Sequence, residues 1–422
     1  MKEPRIDTQP SCEDDYDNAS LSCAAALERL LAATRALVDT EQLPLRTALG
    51  RVLAVDITSP LPVPAHTNSA MDGYALRGQD LPREGLKVMR LVGASFAGKP
   101  FSGAVGPDEA VRIMTGAVMP DGTDTVVLQE QVNATASAVE IDARHKQGQH
   151  VRAAGEDIRA GATVLPAGRR LTPADLGLVA SLGRPEVTVV RRPRVAFFST
   201  GDELRSIGEP LGRGDIYDSN RYTLYGMLQA LGVEPIDLGV VRDDPAALGR
   251  AFRQAAAMAD VIITSGGVSV GEADYTKDVL GELGEIRFWK IAMKPGRPLA
   301  FGRVGQAAFF GLPGNPVSVM VTFYQFVQPA LEKLMGATPR RPWTVPARTT
   351  APLKKKPGRA EFQRGLLARD ANGEFTVTPT GDQGSGILTS MSQANCFIVL
   401  DIDAGKVEPG TTVQVQPFEL FQ

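Results

Sequence analysis

Acidic residues follow three short apolar segments in the central part of the sequence. The segments are rich in Val, Ile and Phe, as buried strands are, and an acidic pair comes shortly after each one. Each pair alone is more typical of a helix N-cap or a solvated face. Carboxylates grouped beside a phosphate repel it unless a hard cation intervenes, and Mg²⁺ prefers such oxygen ligands. Their shared placement therefore favours metal-assisted phosphoanhydride chemistry; the pairs are Asp202 with Glu203, Asp243 with Asp244, and Glu272 with Asp274.

A glycine-rich turn follows the third apolar segment. Its glycines allow backbone amides to approach a phosphate closely, so the turn is a candidate anion nest. An ordinary glycine-rich turn is the alternative. The residues concerned are Ser265, Gly266, Gly267, Ser269 and Gly271.

Basic residues come next along the chain and offer positive charge to an oxyanion or a phosphate. Taken singly, each is typical of a protein surface. Pro295 and Pro298, which directly follow Lys294 and Arg297, stiffen the loop that carries this last pair. The basic residues are Lys277, Lys290, Lys294 and Arg297.

Two further loops carry candidate residues. The segment Asn68–Ala75 places Asp72 on a glycine-flanked loop between predicted domains, where function tends to lie. The turn Gly311–Pro316 contains Pro313 and Pro316 and is suited to cap the helix that follows. A purely structural role for this second turn is the alternative.

The chain from Arg194 to about Gly336 alternates strand-like and helix-like segments. This alternation predicts a parallel sheet with helices on both faces. Ligands of such sheets bind at the carboxyl ends of the strands, where the acidic pairs and the glycine-rich turn fall. The predicted strands are Val195–Ser199, Val233–Leu238 and Asp260–Thr264, and the predicted helices are Asn220–Leu231, Ala246–Met258 and Val317–Leu334.

The flanking regions differ from this central part. The first twenty residues are polar and acidic, which predicts a disordered tail. From Leu21, apolar residues at helical spacing as far as Leu37 and Val38 predict an amphipathic helix. Short apolar runs separated by turns predict a small β domain near residues 75–150 and a compact five-stranded barrel after Pro339. The predicted fold class is therefore multidomain, α/β plus β.

Composition excludes several kinds of function. The 45 basic and 48 acidic residues are interspersed, with a net charge of -3, so the chain lacks the basic excess of a nucleic-acid-binding protein. No run of about 18 apolar residues is present to span a bilayer, and the amino terminus lacks the apolar core of a signal peptide. Three cysteines are too few and too scattered for a disulfide framework or a zinc site. We therefore expect a soluble cytoplasmic protein without membrane or nucleic-acid partners.

Several motifs together resemble the MoeA family of molybdopterin molybdenumtransferases, to which the gephyrin E domain is related. The likeness runs from about Leu21 to the carboxyl terminus. The glycine-rich turn alone is shared with MogA-like adenylyltransferases. In the family's order the motifs are PAHTNSAMDGYA (64–75), RIMTG (112–116), STGDEL (199–204), SGGVSVGEADY (265–275), KPGRP (294–298), LPGNPV (312–317) and TGDQGSGILTSMSQAN (380–395).

The resemblance implies an elongated subunit of four parts behind a disordered tail at 1–20. These are a linking domain (21–63 and 151–193), an inserted small β domain (64–150), a MogA-like α/β domain (194–337) and a C-terminal β-barrel (338–422). It also implies a homodimer whose cleft takes Asp72 from one subunit and the α/β and barrel domains from the other. A MogA-like adenylyltransferase and molybdoenzyme apoproteins or their chaperones are the further partners that it suggests.

The resemblance implies that molybdate is inserted into adenylyl-molybdopterin with release of AMP. From the strand-end placement we expect the glycine-rich turn and Mg²⁺ to hold the pyrophosphate, with Asp243 and Asp274 as Mg²⁺ ligands. Molybdate would be attracted by Lys290, Lys294 and Arg297. Asp72 and Glu203 would position substrate or water. The residues at the family's cleft positions are Asp72, Thr115, Glu203, Asp243, Asp274, Pro313 and Pro316, with Lys290 and Lys294 nearby.

One departure from the family pattern lies beside Asp72. His66 and Thr67 stand where the family has Phe-Asp, so a second acidic group is absent there. Two other functions remain as alternatives. A MogA-like transfer of AMP from ATP needs only the α/β domain, and a gephyrin-like scaffold needs further domains and long linkers that this sequence does not show. The sequence does not distinguish molybdate from tungstate.

Overall fold

The computed structural model describes residues 20–267, 275–339 and 342–418. Contacts within the chain group it into two compact units. The first unit is formed by the chain up to Glu41 together with the chain from Val190 onward, and the second by Gln42–Val189. In the ranges given above, no helix is long and apolar enough to cross a bilayer.

The first helix, α1, spans Cys23–Ala33 and begins at Ser22, whose hydroxyl accepts a hydrogen bond from the Ala25 amide. The helix is shorter than predicted, because Thr34 adopts an extended backbone that ends it. The Thr34 N–H donates to the Leu30 and Leu31 carbonyls of the last turn. Leu37 and Val38 therefore lie beyond the helix, and Val38 is 89% exposed. Strand β1, Thr40–Pro44, follows.

The second unit consists mainly of short strands. Strands β4, β5, β6, β7, β8 and β9 form a six-stranded sheet in the order β7-β4-β6-β5-β9-β8, which confirms the predicted β structure between residues 75 and 150. Only the β5–β6 pair is parallel. The elements are β2 Ile57–Thr58, β3 Asn68–Ser69, β4 Gly73–Leu76, β5 Leu86–Ser95, β6 Glu109–Ile113, β7 Thr125–Leu128, β8 Asn133–Ala134, β9 Ala138–Asp142, β10 Val151–Arg152, β11 Thr163–Leu165, α2 Pro173–Ser181 and β12 Glu186–Val190.

Separate apolar clusters stabilise this unit. One forms between the two sections of chain that flank the sheet and includes Leu53, Val179 and Val189. Another lies on the sheet and includes Met89 and Val139. Helix α2 begins with a capping box in which Thr172 and Asp175 satisfy each other's backbone amides, as expected for a well-defined helix start.

The first unit contains the predicted α/β region. Its sheet has the order β16-β13-β17-β21-β20-β18. The elements are β13 Arg194–Thr200, β14 Leu204–Arg205, β15 Ile216–Tyr217, α3 Asn220–Leu231, β16 Glu234–Val241, α4 Pro245–Met258, β17 Val261–Ser265, α5 Tyr275–Leu283, β18 Gly284–Lys290, β19 Met293–Lys294, β20 Pro298–Val304, β21 Ala307–Leu312, α6 Pro316–Thr322 and α7 Gln328–Leu334.

The predicted parallel sheet is correct for four strands, β16, β13, β17 and β21. Strands β20 and β18 at one edge are antiparallel, so the sheet is mixed. The reason is the connection between β20 and β21, which consists of Gly305 and Gln306 alone and is far too short for the crossover that a parallel pair requires.

Helices cover both faces of this sheet. Ala196 and Phe198 of β13 pack in one cluster with Phe252 of α4 and Leu280 of α5. Because side chains alternate along a strand, the equally buried Phe197 points to the opposite face. The strands therefore carry apolar residues on both sides, as expected of a sheet between two helical layers.

The predicted helix Val317–Leu334 forms as one continuous stretch with a wider turn in its middle. Residues Phe323–Val327 make a π-helical turn, and the Gln328 amide donates to the Phe323 carbonyl. Pro329 explains this turn, since proline has no N–H and its ring clashes with the carbonyl four residues earlier in a regular helix.

The carboxyl-terminal region is a closed five-stranded barrel, as predicted. Its strands pair in the ring β22-β24-β23-β25-β26 and back to β22, and the short strand β19 adds to the outside of β23. Val377, Ile398 and Val415 are fully buried inside it. The elements are β22 Val345–Thr349, β23 Ala360–Arg369, β24 Phe375–Pro379, α8 Leu388–Gln393, β25 Cys396–Leu400 and β26 Thr412–Pro417.

Candidate functional site

Asp72 and Thr115 form a hydrogen-bonded pair in the second unit. Strand β4 pairs antiparallel with β6 so that Gly73 lies opposite Ile113, which brings the residue before one strand next to the residues after the other. The Thr115 amide and hydroxyl each donate to Oδ1 of Asp72 at 2.7 Å. The sequence prediction placed both residues in one site, and the structure brings them into contact.

The pKa of Asp72 is lowered from its ordinary value, first by the Thr115 amide, then by the Thr115 hydroxyl, with a smaller contribution from Arg112. No hydrogen bond from the described parts of the chain reaches Oδ2 of this carboxylate. Asp72 is therefore an ionised acceptor at neutral pH with one oxygen available to a ligand.

The loop that carries Asp72 is fixed by backbone contacts. Ser69 is fully buried, its hydroxyl donates to the Met71 carbonyl, and its own carbonyl accepts from the Gly116 amide at 2.8 Å. Gly73 cannot be replaced without movement, because a Cβ there would lie 2.0 Å from the Val127 carbonyl oxygen. The carboxylate is thus held in place by the sheet that the loop joins.

A second group of polar residues lies at the carboxyl ends of β13 and β16, in the first unit. These strands are neighbours, so the acidic pairs that follow them lie together as the spacing predicts. The Thr200 hydroxyl donates to Asp243, and the Asp243 amide lies 3.4 Å from Oδ1 of Asp202. The remaining members differ: Asp244 caps helix α4 by accepting from the Ala247 amide, and Glu203 is exposed.

The described part of the glycine-rich turn packs against the end of β13. Gly266 has φ +90° and Gly267 φ +66°, and a Cβ on Gly266 would lie 2.5 Å from the Thr200 carbonyl oxygen. The Gly266 amide donates to the Leu312 carbonyl, so it is already satisfied within the protein. Ser269, Gly271 and Asp274 lie outside the described residues, and the phosphate nest stays a prediction.

Asn220 links this turn to the Leu312–Val317 motif, and sequence reasoning did not single it out. Its Nδ2 donates to Ser265 Oγ and to the Gly314 carbonyl, both at 2.7 Å. Its Oδ1 is buried and has no partner in the described part of the protein. The available signal was the run Asp218-Ser219-Asn220 before an amphipathic helix, which indicates a cap but not a long-range contact.

The barrel segment 380–395 meets the same motif through the Val317 amide, which donates to the Ser385 carbonyl at 3.1 Å. Pro313 is buried beside it, and Pro316 is the first residue of α6, where a missing amide hydrogen costs nothing. The motif therefore has a structural function as well as its predicted position in the site.

Arg364 organises the barrel segment and was also missed from the sequence. Its side chain is almost completely buried, and it donates to Ser390 Oγ and to the Gly384 carbonyl, both at 3.0 Å. Burial lowers the pKa of this guanidinium to about 10, against a small opposing effect of Asp382. An arginine inside a predicted strand was the available signal, but period-2 patterning assigns it to solvent.

The predicted basic residues are placed differently from one another. Lys294 is exposed and lies in β19, opposite Glu361 of the barrel strand β23. Arg297 is only 8% exposed, and its carbonyl accepts from the Ile291 amide. Lys290 is half-buried at the end of β18. The structure does not assemble the three into one exposed cluster.

Asp243 is the described member of the predicted pair of Mg²⁺ ligands. Asp243 is partly exposed and accepts from the Thr200 hydroxyl, and carboxylate oxygens of this kind suit Mg²⁺. Within the residues that the structure describes, however, no three His, Cys, Asp or Glu side chains are grouped closely enough to hold a metal. The Asp243 and Asp274 pair remains a prediction because Asp274 is not among those residues.

Comparison with known proteins covers almost the whole chain. Three family models match in order: the MoeA N-terminal region (domain I and II) at residues 21–183, a probable molybdopterin binding domain at 196–333, and the MoeA C-terminal region (domain IV) at 346–418. A molybdopterin molybdenumtransferase of Haemophilus influenzae is 48% identical over 385 residues, which is 90% of this chain and 94% of that protein. The chain belongs to the MoeA family.

Other MoeA-family proteins agree with this result. A molybdopterin molybdenumtransferase of Nostoc sp. is 40% identical over 89% of this chain and 88% of its own length. The crystal structure of the molybdopterin biosynthesis moeA protein from Pyrococcus horikoshii OT3 is 29% identical and covers 94% of this chain and all of its own, with a TM-score of 0.82. The predicted family and fold class are confirmed.

His66 and Thr67, which differ from the family's sequence pattern, lie just before the Asp72 loop. The Thr67 carbonyl accepts from the Met119 amide, and its hydroxyl lies 3.4 Å from the Ala154 amide. Thr67 therefore helps to hold the strands around the Asp72 loop. No carboxylate stands at this position, so Asp72 lacks the acidic neighbour expected from the family pattern.

Proposed function

We propose that this protein is a molybdenum insertase, which transfers molybdenum from molybdate into adenylyl-molybdopterin and releases AMP. The observation that carries the proposal is the 48% identity to a protein named molybdopterin molybdenumtransferase across 90% of the chain. Transfer of AMP by a MogA-like enzyme is not favoured, because the similarity extends through the regions on both sides of the molybdopterin-binding domain. A gephyrin-like scaffold is not favoured either, because the full-length relatives named above are transferases.

Ionised Asp72 contributes a fixed negative acceptor to this reaction. Its Oδ1 is occupied by Thr115, so Oδ2 orients a water molecule or a substrate hydroxyl. In the overall reaction the phosphoanhydride P–O bond breaks, a water oxygen joins one phosphate, and AMP leaves with the other. The dithiolene sulfurs replace oxygen ligands of molybdate, and these oxygens leave as water.

AMP release from adenylyl-molybdopterin, with and without molybdate, tests the proposal. We expect molybdate-dependent release by the wild type and a loss of about 10²-fold in Asp72→Ala, because one misplaced orienting group costs that much. Asp121→Ala is the matched control, since Asp121 is an exposed aspartate of the same unit. ATP-dependent adenylylation of free molybdopterin, without AMP release, would contradict the proposal.

Mg²⁺ is part of the proposal. When bound by Asp243 and Asp274, it would neutralise charge on the phosphoanhydride. Glu203 and the glycine-rich turn would then position the substrate, while Lys290, Lys294 and Arg297 would attract molybdate. We expect Asp243→Asn to raise the Mg²⁺ concentration needed for half-maximal AMP release. Asp244→Asn removes the charge of the neighbouring aspartate but keeps an oxygen that can cap α4, and it is expected to leave that concentration unchanged. Equal Mg²⁺ dependence of both variants and the wild type would remove Asp243 from the metal site.

A homodimer with shared clefts is also proposed. It is supported by the placement of Asp72 and Asp243 in different compact units, which allows two subunits to supply them. Inactive Asp72→Ala and Asp243→Ala proteins are mixed, unfolded and refolded together. Shared clefts predict recovery of roughly a quarter of wild-type activity, because half of the dimers are mixed and each holds one intact cleft. No recovery, with dimers present by sedimentation, would place each cleft within one subunit.

We further propose a cytoplasmic location, with a MogA-like adenylyltransferase before this enzyme and molybdoenzyme apoproteins or their chaperones after it. The cysteines support a reducing compartment, since neither Cys23 nor Cys396 is joined in a disulfide. Co-purification with an epitope-tagged copy from cytosolic extract tests the partners. Recovery of the tagged copy only in a membrane or periplasmic fraction would contradict the location.

A further inference from the structure

A cavity of about 590 Å³ lies in the first unit, and none of the candidate site residues lines it. Its walls are the end of α1 with the segment after it, one face of the β18–β20 pair, and the beginnings of β17 and β21. Strands β17 and β21 are parallel, so their beginnings and their carboxyl ends lie at opposite edges of the sheet. A volume of this size is typical of small-molecule sites.

The register of β18 and β20 places polar and aromatic side chains together on the cavity wall. Glu285, Arg287 and Trp289 alternate along β18 and therefore share one face. Arg303 lies directly opposite Glu285, and Phe301 lies directly opposite Arg287, so both belong to the same face. This face is the one that lines the cavity.

Four arginines line the cavity, two from this wall and two from the α1 region: Arg287, Arg303, Arg29 and Arg35. All four are exposed, and among the described residues none forms an ion pair with a carboxylate. Arg303 donates instead to the Gln306 carbonyl at 2.7 Å. The wall therefore presents guanidinium groups that are not held in ion pairs, and such groups bind phosphate oxygens well.

The acidic groups of the wall oppose an anion only weakly. Both oxygens of Asp260 accept from Arg191 at 2.7 Å, and one also accepts from the Arg194 amide. The Leu31 carbonyl at the end of α1 accepts from Lys333 Nζ at 2.6 Å. Glu285 is the remaining carboxylate of the wall and can accept a hydrogen bond from a ligand hydroxyl or amino group.

Aromatic rings complete the wall. Trp289 is half-buried, and its ring centroid lies 5.6 Å from that of Phe301. The ring centroid of Phe301 in turn lies 5.1 Å from that of Phe310 in β21. Phe310 is fully buried, so the Trp289 and Phe301 rings pack on the core of the domain. A ligand with a planar ring can stack on such a surface while its anionic end faces the arginines.

We propose that this cavity binds a phosphorylated ligand with a planar ring, of the nucleoside phosphate class, at a site separate from the one that performs the reaction. The arginines bind the phosphate and the Trp289 surface binds the ring. Arg287, Arg303 and the Trp289 surface lie on one strand pair, so a single compact ligand reaches both kinds of group.

Tryptophan fluorescence tests this proposal directly. The chain has two tryptophans, and Trp343→Phe leaves Trp289 as the reporter. AMP, ATP, adenosine and inorganic phosphate are titrated in turn into the full-length Trp343→Phe protein. We expect saturable quenching by AMP or ATP, and affinity reduced about tenfold or more in Arg287→Ala or Arg303→Ala, since a charged hydrogen bond is lost in each. Arg250→Ala, an exposed arginine on α4, is the matched control and keeps wild-type affinity.

Asp72→Ala and Asp243→Ala separate this site from the catalytic one. Both variants retain the Trp289 response if the cavity is the binding site, and both lose it if the nucleotide binds at the candidate active site, which would overturn the proposal. Equal quenching by phosphate or by adenosine would also overturn it, because one half of the ligand would then contribute nothing. Absence of quenching, together with a change of sedimentation coefficient in the arginine variants, would assign the wall to a contact between copies of the chain.

Discussion

Asp72 and Asp218 are carboxylates that the protein holds in opposite ways. Asp72 is partly exposed and receives both of its hydrogen bonds from one residue, Thr115. Asp218 is 2% exposed and accepts from the Ser199 hydroxyl and from the amide and side chain of Arg221. The first arrangement presents a charge to a ligand, and the second connects a strand to a helix. We therefore expect substitutions at Asp72 to affect activity and substitutions at Asp218 to affect stability.

The largest expected effect on stability is that of Asp218→Ala. Removal of this buried carboxylate leaves Arg221 and Ser199 without their partner, which costs about 3–5 kcal/mol. Urea unfolding followed by tryptophan fluorescence measures it, since Trp289 and Trp343 both lie in the first unit. Asp237→Ala is the control: this second partner of Arg221 is more exposed, and its loss costs about 1 kcal/mol or less. Similar losses in both variants would refute the distinction between the two aspartates.

Glycines in the two regions give a second comparison. Gly116, beside Thr115, has φ +79° and open space where a Cβ would stand, whereas Gly266 combines φ +90° with a contact of 2.5 Å to the Thr200 carbonyl oxygen. Gly116→Ala therefore costs only backbone strain, about 1–2 kcal/mol. Gly266→Ala adds the steric conflict and is expected to cost about 3 kcal/mol or more.

Far-UV circular dichroism during urea titration measures both variants, because each unit contributes to the signal. An equal loss in the two proteins would mean that the turn after β17 moves freely enough to accept a side chain. That outcome would contradict the steric conflict expected between a side chain at position 266 and the Thr200 carbonyl.

Some features of the fold and of the site could be predicted from the sequence, and others could not. Residues that the sequence assigns to one site lie together in two cases: Asp72 contacts Thr115, and Asp243 lies near Asp202 at adjacent strand ends. The errors arise from local details that hydrophobic periodicity does not record. The end of α1 depends on the extended backbone of Thr34, and the antiparallel edge of the sheet depends on the two-residue connection at Gly305.

Asn220 and Arg364 show the limit of reasoning from residues alone. Each is polar, each is held by partners from other elements, and neither has a spacing that signals chemistry. Period-2 and period-3.6 patterns assign polar residues to solvent, so a buried polar group that joins elements is systematically overlooked. His145 is a further buried polar residue, and its ring lies 3.1 Å from the side-chain amide of Gln149.

The smallest expected effect concerns the protonation of Asp72. Hydrogen bonds from the Thr115 amide and hydroxyl lower the pKa of this carboxyl below its ordinary value of 3.8. Because the folded pKa is the lower one, the associated stabilisation is present above the unfolded pKa and is lost as pH falls through the folded pKa. Asp72 is therefore ionised throughout the neutral range, and activity near pH 7 does not report its titration.

Thr115→Val removes the hydroxyl and keeps the amide. We expect the carboxyl ¹³C titration of Asp72 to have its midpoint below 3.8 in the wild type and to move toward that value in Thr115→Val without reaching it. Thr123→Val is the control, because the Thr123 hydroxyl donates to the Pro120 carbonyl and not to a carboxylate. An unchanged midpoint in Thr115→Val would mean that the amide alone holds the charge, and the preorganisation of Asp72 would then depend only on the β4–β6 register.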